Sequence, residues 1–384
     1  MFRAPMSQEL LASLDALPQR QSALMQRLHA LLEPTGPAGL EAMAREAQRL
    51  TRQNFGRTMR MFAPLYLSNE CVNNCSYCGF SRDNHAILRV TLSVEQVVAE
   101  ARHLQAQGFR HILLVAGEHP RFVSSGYLQE CLQALRAEVP TLALEVGPME
   151  ANEYAQMVEA GAEGLVVYQE TYDREVYAQM HTAGPKKDYD WRVACPLRAY
   201  EGGFRRIGLG VLFGLSDWRL EALRLGAHLE YLQKHCWKAH FTVAFPRLRP
   251  AAGGFAPTHG FPDWALVQVL CAFRIVFPQV GVVLSTREPA ALRDRLAPLG
   301  VTSMSAGSHT EPGGYTGAGA EDLHQTVRGK RVEAQGAATR AEGQFNIADE
   351  RSPAEVAQVL SALGLDPVWK DWDPAILSGG EAAA

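Results

Sequence analysis

Cys71, Cys75 and Cys78 lie within the ten residues CVNNCSYCGF, in a chain of 384 residues that has seven cysteines in all. Spacings of three and two residues let these thiols wrap around one inorganic object. Asn73 and Asn74 tolerate left-handed backbone and Gly79 tolerates any, so the loop can turn tightly. A four-iron cluster normally takes four thiolates. Three leave one iron open to bind a small molecule through nitrogen and oxygen, and S-adenosylmethionine is one such partner in radical chemistry. Two readings without iron stand beside this one. His85 could complete a Cys3His zinc site, although structural zinc sites more often read as two separated pairs. The thiols could also be isolated in a loop.

The rest of the composition narrows the setting. Cys131, Cys195, Cys236 and Cys271 are scattered, a poor disulfide framework for a large chain without an export signal. Polar residues interrupt every apolar stretch of the first twenty-one residues, MFRAPMSQELLASLDALPQRQ, so they resemble neither a signal peptide nor a membrane span. A cytoplasmic protein is expected. A net charge of -4 shows no bias toward nucleic acid or acidic lipid, and 47% apolar residues supply a large core.

The cysteines need elements to position them. Residues 1–61 read as a helical extension, with apolar residues at intervals of three and four. Eight short apolar runs then alternate with helical segments: 63–69, 110–118, 142–147, 163–170, 205–214, 240–245, 280–286 and 301–307. Parallel strands covered by helices predict an α/β fold, most economically a (β/α)8 barrel over 62–310, with 311–384 capping it. A strand that failed to pair would leave a partial barrel. Function gathers at the carboxyl ends of barrel strands. There this chain places Glu118, Glu145, Gln169, Glu170, Arg247, Arg287, Ser303 and Ser305 beside the cysteines. The Gly-rich SAGSHTEPGGYTGAGA lacks the Lys-Ser/Thr of a phosphate loop and is read as a mobile lid.

C-x3-C-x2-C after the first barrel strand resembles the radical S-adenosylmethionine enzymes. Longer stretches, FAPLYLSNECVNNCSYCGFS, LLVAGEHP, VYQETY, IGLGVLFGLSDWR, FPRLRP, LSTRE and PVWKDWD, resemble the tyrosine lyase family of thiamine thiazole synthesis, the 2-iminoacetate synthases. The resemblance runs from about Phe62 almost to the carboxyl terminus. It implies a [4Fe-4S] cluster, S-adenosylmethionine, and cleavage of the Cα–Cβ bond of L-tyrosine to 2-iminoacetate and p-cresol, with the cofactor converted to methionine and 5'-deoxyadenosine. Thiazole synthase and a flavodoxin-type electron donor are the implied partners. A related lyase acting on tryptophan or another aromatic amino acid is the alternative enzyme, and a zinc-stabilised scaffold the alternative without catalysis. The related hydrogenase-maturation enzyme carries a second cluster on a cysteine-bearing extension. Here no cysteine follows Cys271, which counts against that role.

The resemblance also implies roles. Cys71, Cys75 and Cys78 would hold the cluster, with Tyr77 beside the adenine. Glu118 would accept from the cofactor's ammonium, Gln169 and Glu170 would reach its ribose, and Arg192 its carboxylate, which a planar guanidinium matches. Arg287 is the expected partner of the tyrosine carboxylate, with Ser303 and Ser305 as added hydroxyl donors and Glu145 orienting the amine. A salt bridge to Glu288 is the structural alternative for Arg287. Lys186 and Lys187 read as a solvated loop, and Trp369 and Trp372 as packing anchors at one end of the barrel.

Reconstituted protein should be brown and oxygen-sensitive, with about four irons and four sulfides per chain. A colourless protein with one zinc would favour the Cys3His reading. Cys75→Ala should abolish 5'-deoxyadenosine formation; a folded variant that still cleaves the cofactor would remove the cysteine from the cluster.

Overall fold

The computed structural model describes residues 3–17, 21–327, 330–333 and 339–369. Trp372 and the rest of the terminal DWDPAILSGGEAAA lie outside them.

Eight parallel strands form a closed barrel, in the order Thr58–Ser68, His111–Ala116, Thr141–Glu145, Ala162–Glu170, Arg206–Val211, His240–Ala244, Gly281–Leu284 and Ser303–Ser305. Strand eight closes on strand one through Arg60↔Ser303, Met61↔Met304 and Phe62↔Ser305. The partial barrel is therefore excluded. Strand one starts at Thr58, ahead of the run read from Ala63. Its first residues alternate, with Met59 and Met61 buried beneath the helices, and they pair with strand eight and with the added strand Asp366–Val368. An isolated sequence window could not show those partners, which lie hundreds of residues away.

The lumen is not filled by layers of large side chains, as barrel interiors usually are. Ala143, Gly164, Gly208, Ala244 and Gly281 are small, and a cavity of about 560 Å3 extends below Tyr168.

The first helices, Arg3–Asp15, Ala23–Leu32 and Pro37–Phe55, pack on two outer barrel helices, Trp218–His235 and Asp263–Val276. Met25, Leu28 and Leu32 are buried there, and Gln268 Nε2 donates to the carbonyls of Leu31 and Glu33 at 2.8 and 2.7 Å. These bonds satisfy acceptors at a helix end that would otherwise be orphaned. Trp369 packs edge-on against Phe109, with ring centroids 5.1 Å apart, and its carbonyl accepts from the Arg110 amide at 3.1 Å. Among the described residues no helix is long and apolar enough to cross a membrane.

Beyond strand eight, the chain returns across the mouth. Thr286 O accepts from the amides of Ala348 and Asp349 at 2.9 and 3.2 Å. Arg293, fully buried, pairs with Asp349 and donates to the Ser305 carbonyl, while Arg351 joins Asp349 at 2.7 Å and Asp294 at 2.9 Å. This ion cluster fastens the returning segment to the ends of strands seven and eight. Asp349→Ala would leave the Arg293 guanidinium buried without its counterion. A loss of about 3–5 kcal/mol in unfolding free energy is expected from denaturant titration; a loss below about 1 kcal/mol would contradict the role assigned to the pair.

Candidate active site

The cluster loop leaves strand one at Asn69 and is tied down on three sides. Asn74 and Cys75 pair antiparallel with Ala183 and His181, forming a short ladder to the loop after strand four. The Val72 amide donates to the Glu118 carbonyl at 2.8 Å, and Asn73 Nδ2 donates to Glu118 Oε2 at 2.6 Å. Asn73 Oδ1 accepts the Lys186 amide at 2.9 Å. Gly184, at φ 82°, lies so close that a Cβ there would sit 2.3 Å from Asn73 Oδ1. On the third side the Gly79 amide donates to the Gln344 carbonyl at 2.9 Å, from the segment that crosses the mouth.

All three thiols lie in this loop. Burial pushes each of them upward: Cys71 and Cys75 lie above the usual thiol range, and Cys78 reaches about 11, helped by the nearby Cys71. Thiolates gathered here call for a cationic centre, which iron in a cluster supplies. Among the described residues no three His, Cys, Asp or Glu side chains are placed to hold a single metal ion. His85 is exposed, with Nδ1 3.3 Å from the Thr326 carbonyl. Three thiols in one loop, with His85 turned toward the Thr326 carbonyl, are the donors that a multi-iron cluster would use.

Beside the loop lies a buried charge group. Lys186 Nζ is 2.6 Å from Glu170 Oε1, and Arg192 Nη2 is 3.6 Å from the same oxygen. Burial opposes ionisation of Glu170, but Lys186 and then Arg192 hold its carboxyl below the usual range. Lys186 is thus no solvated residue: its side chain is only 14% exposed, whereas Lys187 is exposed as expected. Arg192 Nε donates to the Tyr168 carbonyl at 2.7 Å. Gln169 is buried, and neither atom of its carboxamide finds a hydrogen-bond partner among the described residues. An orphaned buried amide near the end of strand four is the kind of group that a polar ligand satisfies.

Tyr77 Oη lies 2.7 Å from His181 Nε2, whose Nδ1 lies 2.8 Å from the Tyr177 carbonyl. A carbonyl only accepts, so Nδ1 carries the proton and the Tyr77 hydroxyl donates to Nε2. Burial, with Lys186 adding to it, pushes His181 down to about 3, consistent with a neutral ring.

Glu145 and Arg287 lie close enough for each charge to act on the other, with Tyr66 and Tyr168 near both. Burial raises Glu145 to about 7, opposed mainly by Arg287. Arg287 stacks on Phe345, its guanidinium carbon 3.3 Å from the ring centroid. Glu288 does not neutralise it: that carboxylate is held by Arg247, whose Nε lies 2.9 and 3.0 Å from its two oxygens. Among the described residues no hydrogen bond or ion pair engages the Arg287 side chain. Tyr66, whose hydroxyl donates to Gln344 Oε1 at 2.8 Å, and Tyr168 complete the walls.

Of the two expected hydroxyls on strand eight, Ser303 is placed differently. The Ser303 hydroxyl donates to the Arg60 carbonyl at 3.3 Å and the residue lines the lumen cavity, while Ser305 Oγ accepts from the Thr286 amide at 3.2 Å. Strand eight pairs with the start of strand one, so the Ser303 hydroxyl serves the barrel backbone, while Ser305 accepts from the residue before Arg287 and keeps its own proton to donate. Lys186, Phe345 and Gln344 were missed. Tyr66, near the end of strand one, carries a signal in its strand position.

The chain matches the Radical SAM superfamily over residues 65–225 and the Biotin and Thiamin Synthesis associated domain over 244–366. It is 44% identical to the 2-iminoacetate synthase of Escherichia coli over 345 residues, 90% of this chain and 86% of that protein. Identity to the Salmonella typhimurium 2-iminoacetate synthase is 43%, with the same two coverages. The structure resembles that of the FeFe-hydrogenase maturase HydG from Carboxydothermus hydrogenoformans, with a TM-score of 0.80 at 33% identity, covering 96% of this chain and 81% of that one.

Infrared difference titration, with Glu145→Gln as the subtraction control, should show one carboxyl changing state with a midpoint of about 7. Arg287→Leu removes a nearby positive charge and should move that midpoint upward. A midpoint in the ordinary glutamate range would contradict the burial assigned to Glu145.

Proposed function

The chain belongs to the 2-iminoacetate synthase family of radical S-adenosylmethionine enzymes, and from that premise we propose that it cleaves the Cα–Cβ bond of L-tyrosine to 2-iminoacetate and p-cresol. Its cofactors are a [4Fe-4S] cluster and S-adenosylmethionine, which when bound supply electron transfer and hydrogen-atom abstraction. Cys71, Cys75 and Cys78 would hold the cluster. Tyr77, Glu118, Gln169, Glu170 and Arg192 would take the nucleoside and amino-acid ends of the cofactor.

One observation carries the substrate reading. Arg287 presents a half-buried guanidinium, stacked on Phe345 and without an anion among the described residues, across from the Glu145 carboxyl. A positive and a negative group facing one space match the carboxylate and ammonium of an amino acid. Ionised Glu145 accepts a proton from the substrate ammonium, leaving the neutral amine from which a hydrogen atom is taken. Phe345, Tyr66 and Tyr168 bound the space and keep bulk water from the reacting amine. The imine product hydrolyses readily in water, so its use in thiazole assembly calls for prompt transfer to thiazole synthase. A flavodoxin-type donor and a cytoplasmic setting complete the proposal.

Anaerobic turnover with dithionite, S-adenosylmethionine and tyrosine should give p-cresol, 5'-deoxyadenosine and glyoxylate, the imine's hydrolysis product, in equal amounts by chromatography. Deoxyadenosine without p-cresol would mean that the substrate is another molecule. Arg287→Leu should raise the KM for tyrosine at least tenfold, about the loss of one charge-assisted pair, with iron content unchanged. An unaltered tyrosine dependence would take Arg287 out of the site.

A further inference from the structure

We propose that Glu221 is a positioning residue for the cofactor pocket, fixing the turn behind Glu170 and thereby the direction in which the Glu170 carboxylate points. The inference rests on the reading above that Glu170, with Arg192, faces S-adenosylmethionine. Glu170 is the only non-glycine residue with positive φ among the described residues, at 72°. Side chains rarely adopt that conformation and hold it only where the surroundings impose it. On one side, the Glu170 carbonyl accepts the Leu212 amide at 2.8 Å, at the end of strand five. On the other side, the restraint comes from Glu221.

Glu221 lies in the first turn of helix Trp218–His235 and is 1% exposed. Its carboxylate accepts from the three residues that follow Glu170. Thr171 Oγ1 donates to Oε1 at 2.8 Å, the Tyr172 amide to Oε2 at 2.8 Å, and the Asp173 amide to Oε1 at 3.2 Å. A buried carboxylate at a helix–barrel interface is costly unless fully hydrogen-bonded, and here its donors all come from this one turn. His228, seven residues along the same helix, adds a second tie, with Nδ1 2.7 Å from the Tyr172 hydroxyl. Because Asp173 caps the following helix, accepting from the amides of Glu175 and Val176 at 3.0 Å, the turn cannot shift without disturbing the path toward His181 and Lys186. Glu221 acts on the cofactor only through this backbone.

Glu221→Gln keeps the shape but turns an N–H2 toward one of the three donors. Two readouts test it: hydrogen exchange of the peptide spanning 168–173 before cofactor is added, and equilibrium dialysis of labelled S-adenosylmethionine against cluster-loaded protein. Exchange should quicken and cofactor affinity weaken, each about tenfold, while iron content and the tyrosine KM at saturating cofactor stay unchanged. Glu221→Asp, which retains both oxygens, should recover part of the affinity. If Glu221→Gln fails to fold, Thr171→Val removes one donor and should move both readouts the same way. Wild-type exchange and affinity would overturn the inference. So would faster exchange at unchanged affinity, provided that Glu170→Gln itself weakens binding. If Glu170→Gln also binds S-adenosylmethionine normally, the cofactor role of Glu170 fails, and this inference with it.

Discussion

The ion pair between Glu170 and Lys186 joins the two halves of the site. Glu170 ends barrel strand four, and Lys186 lies in the loop whose ladder holds Cys75. At 2.6 Å, with Arg192 on the same carboxylate oxygen, the pair sets how far the cluster loop stands from the barrel mouth. Buried pairs owe their weight to what happens when one partner is removed, because the remaining charge has no water to turn to. Asn73 extends the connection, accepting from the Lys186 amide and donating to Glu118 beyond strand two. A loop bearing three thiols is thereby referenced to two strands at once.

The substrate side follows a complementary logic. Arg247 takes Glu288, so the adjacent Arg287 is left for an outside anion. The stack on Phe345 holds the face of the guanidinium while leaving its N–H edge available. Phe345 itself sits where it does because Arg293 and Asp349, buried together, fasten the returning chain to strands seven and eight. Residues far from Arg287 thus set the geometry of its guanidinium.

Much of this was legible in the sequence. Apolar runs alternating with helical periods led to the eight-strand barrel, and C-x3-C-x2-C after the first run led to the cluster. Less visible were features that depend on contacts between distant segments. Lys186, in a loop rich in Gly, Pro and Lys, looks solvated until strand four places a carboxylate 2.6 Å away. Ser303 and Ser305 appeared to flank Arg287 because they share the barrel mouth in sequence order. Register with the start of strand one carries Ser303 down to the lumen, while Ser305 Oγ accepts from the Thr286 amide. Phe345 had no local signal at all, since its meaning arises only once the chain has crossed the mouth.

The central claim is that Arg287 and Glu145 hold the tyrosine head so that its amine, not its carbon skeleton, meets the abstracting group. Mass spectrometry of 5'-deoxyadenosine formed in D2O, from tyrosine and from O-methyltyrosine, which has no phenol hydrogen, tests it most directly, because amine hydrogens exchange with solvent and carbon-bound ones do not. One deuterium in the 5'-deoxyadenosine is the predicted result. Unlabelled 5'-deoxyadenosine from D2O, together with transfer of deuterium from carbon-deuterated tyrosine in ordinary water, would contradict it.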